Sequence, residues 1–400
     1  MGLVLLHRRK GALTLNQLLL KKIDAHFEEM QKIRRHLHMH PELSFQEKET
    51  ATYIANFYKE LGVHIEENVS GYGLIARIKG SKPGKTIALR ADFDALPIQD
   101  AKDVPYKSKV PGVMHACGHD GHTATLLIIG KLLWEMRDEL VGDYVLIHQH
   151  AEETDPGGAI GMVKAGVLQG VDAIFGTHLS SNHQTGTVGY RVGPMMAAVD
   201  SFDIKIQGKG GHGAQPHQTK DAIVIGSQLV MNLQQLVSRR VAPTESAVVT
   251  VGSFVAQNAD NIIADSAYLN GTVRTFNKDV RATIEREFKR IIQGTEMAHD
   301  CTIELDYRRG YPAIINHEKE TLFVRDIAQD ICDVFEMEPT MGGEDFSYYL
   351  EEKPGTFFYT GAAPKNYAPH HHPEFDIDEK GMLIAAKVLL STALGYQLVD

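Results

Sequence analysis

A short segment at residues 114–127, MHACGHDGHTATLL, concentrates side chains that could bind a metal ion. Cys117 and His119 are two residues apart, and Asp120 and His122 follow at once. A thiolate beside an imidazole suits zinc, manganese, cobalt or nickel. The residues after them are apolar with a helical period, which predicts a loop that enters a helix. A single buried cysteine is ordinarily inert, so this segment alone leaves a purely structural role open.

Side chains of similar chemistry follow apolar segments elsewhere in the chain. Four buried strands are predicted at residues 85–91, 144–147, 173–175 and 356–359; they lead to Asp92 and Asp94, to Glu152 and Glu153, to His178, and to His370, His371 and His372. Helical patterns alternate with these strands, as at residues 121–136 and 321–335, and favour a βαβ sheet. The carboxyl ends of parallel strands meet at one edge of such a sheet, so these groups are expected to converge there.

The adjacent carboxylates Glu152 and Glu153 could divide two tasks, one binding metal and the other moving protons. In a two-metal hydrolase the ions share a water and lower its pKa, and a nearby carboxylate takes the proton as that water attacks a carbonyl. Most adjacent glutamates lie on solvated surface. Only the position of this pair after a buried strand therefore favours a catalytic role.

The pattern changes character between residues 199 and 308. Alternating and helical segments follow one another there as β-α-β-β-α-β, the order of a ferredoxin-like α+β unit that can be inserted into another domain. The sequence therefore predicts an α/β catalytic domain with a mostly parallel sheet flanked by helices, formed by residues 1–198 and 310–400. Residues 199–309 would form the inserted lid.

The composition excludes several classes of protein. The formal net charge of −10 and the lack of a long basic run argue against a nucleic-acid partner. No apolar run reaches the roughly 18 residues that span a bilayer, and the opening residues lack the order of a signal peptide. Three cysteines at wide spacing give no disulfide framework. We therefore expect a cytoplasmic protein with no membrane partner.

The N-terminal region is predicted to begin with a poorly structured extension, residues 1–20. A helix is expected over residues 18–38, stopped by Pro41. His36, His38 and His40 alternate by two residues, which scatters them around this helix. The spacing favours exposure to solvent over metal binding.

Many of these segments together resemble the M20 metallopeptidases, and within them the amidohydrolase branch that includes hippurate hydrolases and indole-acetyl amino-acid hydrolases. The resemblance covers nearly the whole chain. The segments that carry it are RRHLHMHPELSFQE at 34–47, RADFDALPI at 90–98, MHACGHDGHTA at 114–124, AEE at 151–153, GGHGAQPH at 210–217, NIIAD at 261–265, GTVRTF at 271–276, GGEDFS at 342–347 and HHPEFDIDE at 371–379. An ordered set of this kind is highly specific.

The resemblance implies a binuclear metal centre in a two-domain subunit whose lid usually dimerises. It makes five residues the metal ligands: Cys117, His119, Glu153, His178 and His371. Glu152 becomes the general base, and Asp94 would orient a ligand. His371 is chosen because the family's ligand precedes the proline by two residues, with His370 and His372 as alternatives. The HQH approach to the glutamate pair departs from the family pattern, so His148 and His150 are expected to alter the rim of the site.

Within the lid, the resemblance assigns His212 to stabilising the tetrahedral oxyanion, and Asn261 and Arg274 to positioning a substrate carboxylate. The chemistry agrees, since a guanidinium binds a carboxylate bidentately and an imidazole N–H can stabilise developing charge. Without the resemblance, His212 could equally be a turn residue, and Arg274 could be a surface strand residue.

The predicted function is hydrolysis of the amide bond of N-acyl amino acids, with acetyl or aryl-acyl groups, by a metal-bridging water and Glu152 as general base. The expected cofactors are two divalent ions per subunit, zinc or manganese before cobalt or nickel. The expected partners are the small-molecule substrate and a second copy in a homodimer. A dipeptidase or carboxypeptidase of the same fold is the close alternative. A catalytically inactive scaffold is the alternative from another class, but scaffolds tend to lose the base or a ligand, and every expected position is filled here.

Overall fold

The structure is a computed structural model that describes residues 20–365 and 368–399. The predicted N-terminal extension lies almost wholly outside the described residues. Residues 20–25 are helical. The longer helices span Phe27–Met39, Lys48–Leu61, His119–Glu135, Ala222–Arg240, Lys278–His299, Glu318–Gln329 and Lys380–Gly395, and two short helices span Ala159–Lys164 and Ser347–Glu352.

Strands are numbered in chain order. They are β1 (Ile65–Val69), β2 (Gly73–Lys79), β3 (Lys82–Asp92), β4 (Val141–Gln149), β5 (Ala173–Gln184), β6 (Thr187–Tyr190), β7 (Gly193–Met196), β8 (Ala198–Gln207), β9 (Gly211–His212), β10 (Ala247–Val255), β11 (Ile262–Ile263), β12 (Ser266–Thr275), β13 (Thr302–Arg309), β14 (Ile314–Asn316), β15 (Asp333–Glu336) and β16 (Gly355–Ala363). The chain divides into two compact units, the second comprising Pro194–Ile314 and Pro339–Glu344.

The first unit is built on an eight-stranded mixed sheet with the strand order β1-β2-β4-β3-β5-β16-β6-β15. The four central strands β4, β3, β5 and β16 are parallel to one another, whereas β4 pairs antiparallel with β2 and β16 pairs antiparallel with β6. Helices flank the sheet, so the predicted α/β class with a mostly parallel sheet is confirmed. Parallel neighbours bring their carboxyl ends to one edge, which is where the groups singled out in the sequence lie.

The helix His119–Glu135 is anchored in the core almost all the way round. Leu127, Ile128, Ile129 and Leu132 are fully buried along it, and burying each such side chain stabilises the fold by about 1.5–3 kcal/mol. This packing fixes the first turn of the helix. Gly118 precedes that turn with φ 101°, a left-handed conformation that glycine adopts without strain.

The structure corrects the sequence predictions for residues 321–335 and for His38. The helical pattern at residues 321–335 ends at Gln329, and residues 333–336 instead form β15, which pairs in parallel with β6. Val334 and Phe335, β-branched and aromatic, suit a strand. His38 was expected to be exposed, but it is completely buried.

The second unit has a four-stranded antiparallel sheet in the order β10-β12-β8-β13. Helices Ala222–Arg240 and Lys278–His299 join its strands, and this is the β-α-β-β-α-β arrangement of a ferredoxin-like sandwich. Asp221 and Asn277 cap the two helices by accepting backbone N–H groups. Buried side chains of the sheet and both helices form its core: Phe202, Ile204, Ile206, Leu229, Leu233, Ile284 and Phe288.

One stretch of the described chain, Lys380–Leu398, is long and apolar enough to cross a membrane, but 67% of it is buried inside the fold. Its apolar side chains belong to the core of the first unit, among them Met382, Leu389 and Leu390. A buried core helix explains this composition.

Candidate metal centre

Neighbouring parallel strands deliver the candidate groups to one edge of the sheet. Asp92 ends β3, Glu152 and Glu153 follow β4, and the residues after β16 include His371. His178 differs from the prediction, because it lies within β5 and not beyond its end. The strand continues past residue 175 because β16 pairs with it in parallel, with His178 opposite Tyr359.

His119 is the centre of the arrangement. Its Nδ1 lies 3.1 Å from Asp94 Oδ1, and its buried Nε2 has no hydrogen-bond partner among the described residues. That Nε2 lies 3.8 Å from Glu153 Oε1 and 4.0 Å from Glu152 Oε2. Burial lowers the pKa of His119, but Asp92 and Asp94 outweigh burial and raise that pKa to about 10. The carboxylates around this nitrogen therefore stabilise a positive charge there, and a bound divalent cation would supply that charge.

Asp94 joins two parts of the site. Its Oδ1 accepts the hydrogen bond of His119, and its Oδ2 accepts the backbone N–H of Glu153 at 2.9 Å and the hydroxyl of Ser44 at 2.7 Å. Burial alone would raise the pKa of Asp94, yet the bond from His119 brings it below its usual value. A carboxylate that orients a histidine in this way is typical of metal sites.

Cys117 and His178 approach each other beside this group. The Cys117 Sγ lies 3.3 Å from His178 Nε2. His178 Nδ1 lies 2.9 Å from the Leu179 carbonyl and donates its hydrogen there, so the Nε2 lone pair faces the sulfur. Burial raises the pKa of the Cys117 thiol, and Glu153 and Glu152 raise it further. A thiolate in this position therefore requires a cation beside it.

His371 completes a second group of possible ligands. Its Nε2 lies 3.3 Å from Glu153 Oε1, and the ligand-type atoms of Cys117, Glu153 and His371 all lie within 4.8 Å of one another. His372 is exposed, and its Nδ1 accepts the backbone N–H of Glu374 in a local turn. Cys117, His371 and Glu153 thus offer a sulfur, a nitrogen and a carboxylate oxygen, a donor set that fits a divalent transition metal.

His122, the fourth metal-capable residue of the 114–127 segment, has both ring nitrogens in use. Nδ1 lies 2.6 Å from Asp92 Oδ1, and Nε2 accepts the backbone N–H of Leu179 at 2.9 Å. The ring therefore joins β3 to β5 and offers no lone pair to an ion. Arg90 in turn donates to Asp92 at 2.6 Å and to Asp345 at 2.8 Å.

A buried ionic network behind the site was missed from the sequence. Arg34 donates to Asp120 at 2.8 Å and to Asp376 at 2.7 Å. His38 Nδ1 lies 2.7 Å from the same Asp120 oxygen, and Lys102 lies 3.1 Å from its other nitrogen. The network holds the residue after His119 to the first long helix. In the sequence, the RR-x-L-H spacing of Arg34, Arg35 and His38 is the feature that could have indicated this network, because it places basic side chains on one face of the helix.

The two histidines of the HQH segment, residues 148–150, do not lie at the rim of the site. His148 is fully buried, with Nε2 2.9 Å from the Tyr58 hydroxyl. His150 is buried beneath Phe45, with ring centroids 5.9 Å apart. Both side chains are core residues of β4 and its end, so the prediction that they alter the rim is wrong.

The remaining predicted residues belong to the second unit. His212 lies on β9 and pairs across the two-stranded ribbon with Ile262, beside Asn261, whose carbonyl accepts the Gly213 N–H at 2.7 Å. His212 and Asn261 are exposed, and Arg274 lies half-buried on β12. The second unit therefore brings His212 and Asn261 together.

Comparison with known proteins identifies the family of this chain. The profile of peptidase family M20/M25/M40 matches residues 88–395. YhaA of Bacillus subtilis (strain 168), whose name assigns it provisionally to the amidohydrolases, is 56% identical over 389 residues, which cover 96% of this chain and 98% of YhaA. An N-acyl-L-amino acid amidohydrolase of Geobacillus stearothermophilus is 49% identical over 72% of this chain and 77% of that protein.

A solved structure extends the likeness to the fold. The Bacillus subtilis YXEP protein, described as a dinuclear metal binding peptidase from the M20 family, superposes with a TM-score of 0.80 at 36% identity. The match covers 93% of this chain and 98% of that one. By sequence and by fold, this chain belongs to peptidase family M20/M25/M40 and is a metal-dependent hydrolase of that family.

Proposed function

We propose that the protein hydrolyses N-acyl amino acids, with an acetyl or aryl-acyl group, to a carboxylic acid and an amino acid. The observation that carries the proposal is the buried, unpartnered Nε2 of His119, which faces Glu152 and Glu153. The relative named as an N-acyl-L-amino acid amidohydrolase supports this substrate class.

The proposed ligands of two divalent ions are Cys117, His119, Glu153, His178 and His371. Zinc or manganese is proposed before cobalt or nickel. When bound, the ions would supply Lewis acidity toward the amide carbonyl and would lower the pKa of the attacking water. Their fit rests on the orphaned His119 nitrogen and on the mixed donor set of the two groups.

Glu152 is proposed as the general base. Its buried carboxylate lies 4.0 Å from His119 Nε2. The neighbouring Glu153 differs in that its backbone N–H donates to Asp94. Glu152 accepts a proton from the attacking water and returns it to the nitrogen of the leaving amine. Asp94 acts as a positioning residue, because it fixes both the ring of His119 and the backbone of Glu153.

Substrate recognition is proposed for the second unit. Arg274 would bind the free carboxylate bidentately, and Asn261 would contact the same carboxylate. His212 Nδ1 accepts the Ala214 N–H at 3.0 Å, so a neutral ring carries its hydrogen on the exposed Nε2. That N–H is proposed to stabilise the tetrahedral oxyanion.

We further propose a homodimer formed by the second unit, in which His212 acts on the site of the neighbouring subunit. Strand β10 lies at the edge of its sheet, and exposed edges of this kind pair readily. Exposed apolar side chains accompany it on the same unit: Ile223, Val224, Met231, Phe254 and Val255. A cytoplasmic location is part of the same proposal.

A substrate panel tests the proposal against its alternatives. Metal-stripped protein is refilled separately with zinc, manganese, cobalt or nickel and assayed with N-acetyl, N-benzoyl and indole-acetyl amino acids and with dipeptides. Preference for the N-acyl amino acids supports the proposal, whereas preference for dipeptides favours the peptidase alternative. Metal binding without turnover of any compound favours the scaffold. Glu152→Gln, prepared identically, is the control for contaminating activity.

A further inference from the structure

A second imidazole reaches the sulfur of Cys117. His370 Nδ1 lies 3.8 Å from Cys117 Sγ, within range of a long N–H···S hydrogen bond. The ring is held on two sides, with centroids 5.1 Å from His178 and 4.9 Å from Phe375. Its ligand-type atom also lies within 4.8 Å of those of Cys117 and His178, so metal ligation is the competing interpretation.

The other nitrogen of His370 decides between the two roles. The backbone N–H of Ser181 points at His370 Nε2, with an N···N distance of 3.2 Å. A backbone N–H can only donate, so Nε2 must carry its lone pair. An imidazolium has no lone pair on either nitrogen, so a ring that accepts this N–H is neutral. The single ring hydrogen therefore lies on Nδ1, where Cys117 offers both its sulfur and its backbone carbonyl as acceptors.

His178 presents the opposite arrangement to the same sulfur. Its Nδ1–H donates to the Leu179 carbonyl, which leaves the Nε2 lone pair facing Cys117 at 3.3 Å. For His370 to ligate through Nδ1, its hydrogen would have to move to Nε2, where it would face the Ser181 N–H. Two donors would then oppose each other in a part-buried position, an arrangement that costs a hydrogen bond.

We propose that His370 is a positioning residue that donates a hydrogen bond from Nδ1 to the thiolate of Cys117 and does not bind metal. The inference rests on the proposed role of Cys117 as a ligand. A donor aimed at the sulfur stabilises the thiolate over the thiol, fixes its orientation and withdraws electron density from it.

The test uses cobalt(II) as the probe, because a thiolate ligand gives a sulfur-to-cobalt charge-transfer band. His370→Phe keeps an aromatic ring but removes the donor, and His370→Asn restores an N–H near the position of Nδ1. We expect His370→Phe to bind two cobalt ions with its band at lower energy, because sulfur regains electron density. His370→Asn should return the band toward that of the wild type. His372→Phe, an exposed neighbour, is the matched control and should leave the band unchanged.

The affinity for cobalt and the number of ions bound also distinguish a hydrogen-bond donor from a metal ligand. Loss of an outer hydrogen bond should weaken binding by roughly 10–100-fold. Loss of one equivalent of cobalt in both His370→Phe and His370→Asn would make His370 a ligand and overturn the inference. An unchanged band in a correctly loaded His370→Phe protein would overturn it as well. A wild-type band that is absent, or that survives Cys117→Ser, would instead remove Cys117 from the proposed ligand set.

The tautomer of His370 can also be measured directly in the metal-free protein. Long-range ¹⁵N–¹H spectra of histidine-labelled wild-type protein should show a neutral Nδ1–H ring that is missing from His370→Asn. A neutral Nε2–H ring, assigned to His370 through the backbone resonances of that residue, would refute the inference even if the His370 variants failed to fold.

Discussion

Glu47 offers a quantitative test of how the glutamate pair is held. It is completely buried, and its Oε1 accepts the backbone N–H of Ala151 at 2.8 Å. Ala151 has φ 51°, in the left-handed region, and directly precedes Glu152. Burial and the charge of Asp94 raise the pKa of Glu47 to about 8. The carboxyl group is therefore protonated at neutral pH, and Glu47→Gln should reproduce its charge and its acceptor.

The raised pKa sets the sign and size of the effect on stability. Because the folded state binds the proton more tightly, the Glu47 contribution is fully present below the ordinary pKa near 4.5 and is lost as the pH rises toward about 8. At 1.36 kcal/mol per pH unit, the wild type should lose about 2.5 kcal/mol relative to Glu47→Gln between about pH 5 and about pH 7.

Urea unfolding of the metal-free proteins measures this difference. Trp134 is the single tryptophan and lies in the first unit, so its fluorescence reports on the unit that contains Glu47. Titrations common to both proteins cancel in the comparison. Glu49→Gln, on the exposed side of the same helix, is the control and should follow the wild type at every pH. A wild-type minus Glu47→Gln difference that stays constant over this pH range would refute a buried, protonated Glu47.

Four further predictions concern the centre itself. Glu152→Gln should retain metal and lose at least about 10²–10⁴-fold in kcat, whereas Glu153→Gln should lose metal by elemental analysis; the reverse pattern would exchange their roles. Cys117→Ala should lose metal and activity together, and full occupancy would make it a core residue. Gly118→Ala should lower the unfolding free energy by about 1 kcal/mol or more, because alanine is strained at this φ; equal stability would contradict the strain. Inactive His212→Ala and Glu152→Gln homodimers, mixed and re-associated, should recover a fraction of wild-type activity if His212 acts on the neighbouring subunit, and a metal-loaded mixed dimer without recovery would exclude that.

The sequence located the chemical groups because their positions follow from strand order. Asp92 ends one apolar strand, and Glu152 and His371 follow two others. Because β4, β3, β5 and β16 are parallel to one another, those strand ends meet at one edge of the sheet. The alternation of short strands and amphipathic helices likewise predicted the order of the second unit. Both inferences depend on periodicity, which a single sequence displays directly.

Features that depend on tertiary pairing could not be predicted in the same way. His178 lies inside β5 because β16 extends the strand, and no local pattern marks that extension. Residues 333–336 form a strand because β6 offers them a parallel edge. His38 was assigned to solvent from its spacing alone, but its burial is made possible by Asp120, a carboxylate 82 residues away along the chain. In each case the deciding partner is distant in sequence.

The roles of the histidines show where such partners matter most for function. His119 and His178 each donate from Nδ1 to an oxygen of the protein, so in the neutral form of each ring Nε2 carries the lone pair. His122 and His370 each accept a backbone N–H at Nε2, which removes that lone pair from metal binding. The four rings are chemically identical. The centroids of His119, His122 and His178 lie 4.7–6.0 Å apart, and the centroid of His370 lies 5.1 Å from that of His178. On the proposed ligand assignment, the fold selects ligands from a larger set of imidazoles by fixing which nitrogen of each ring carries the hydrogen.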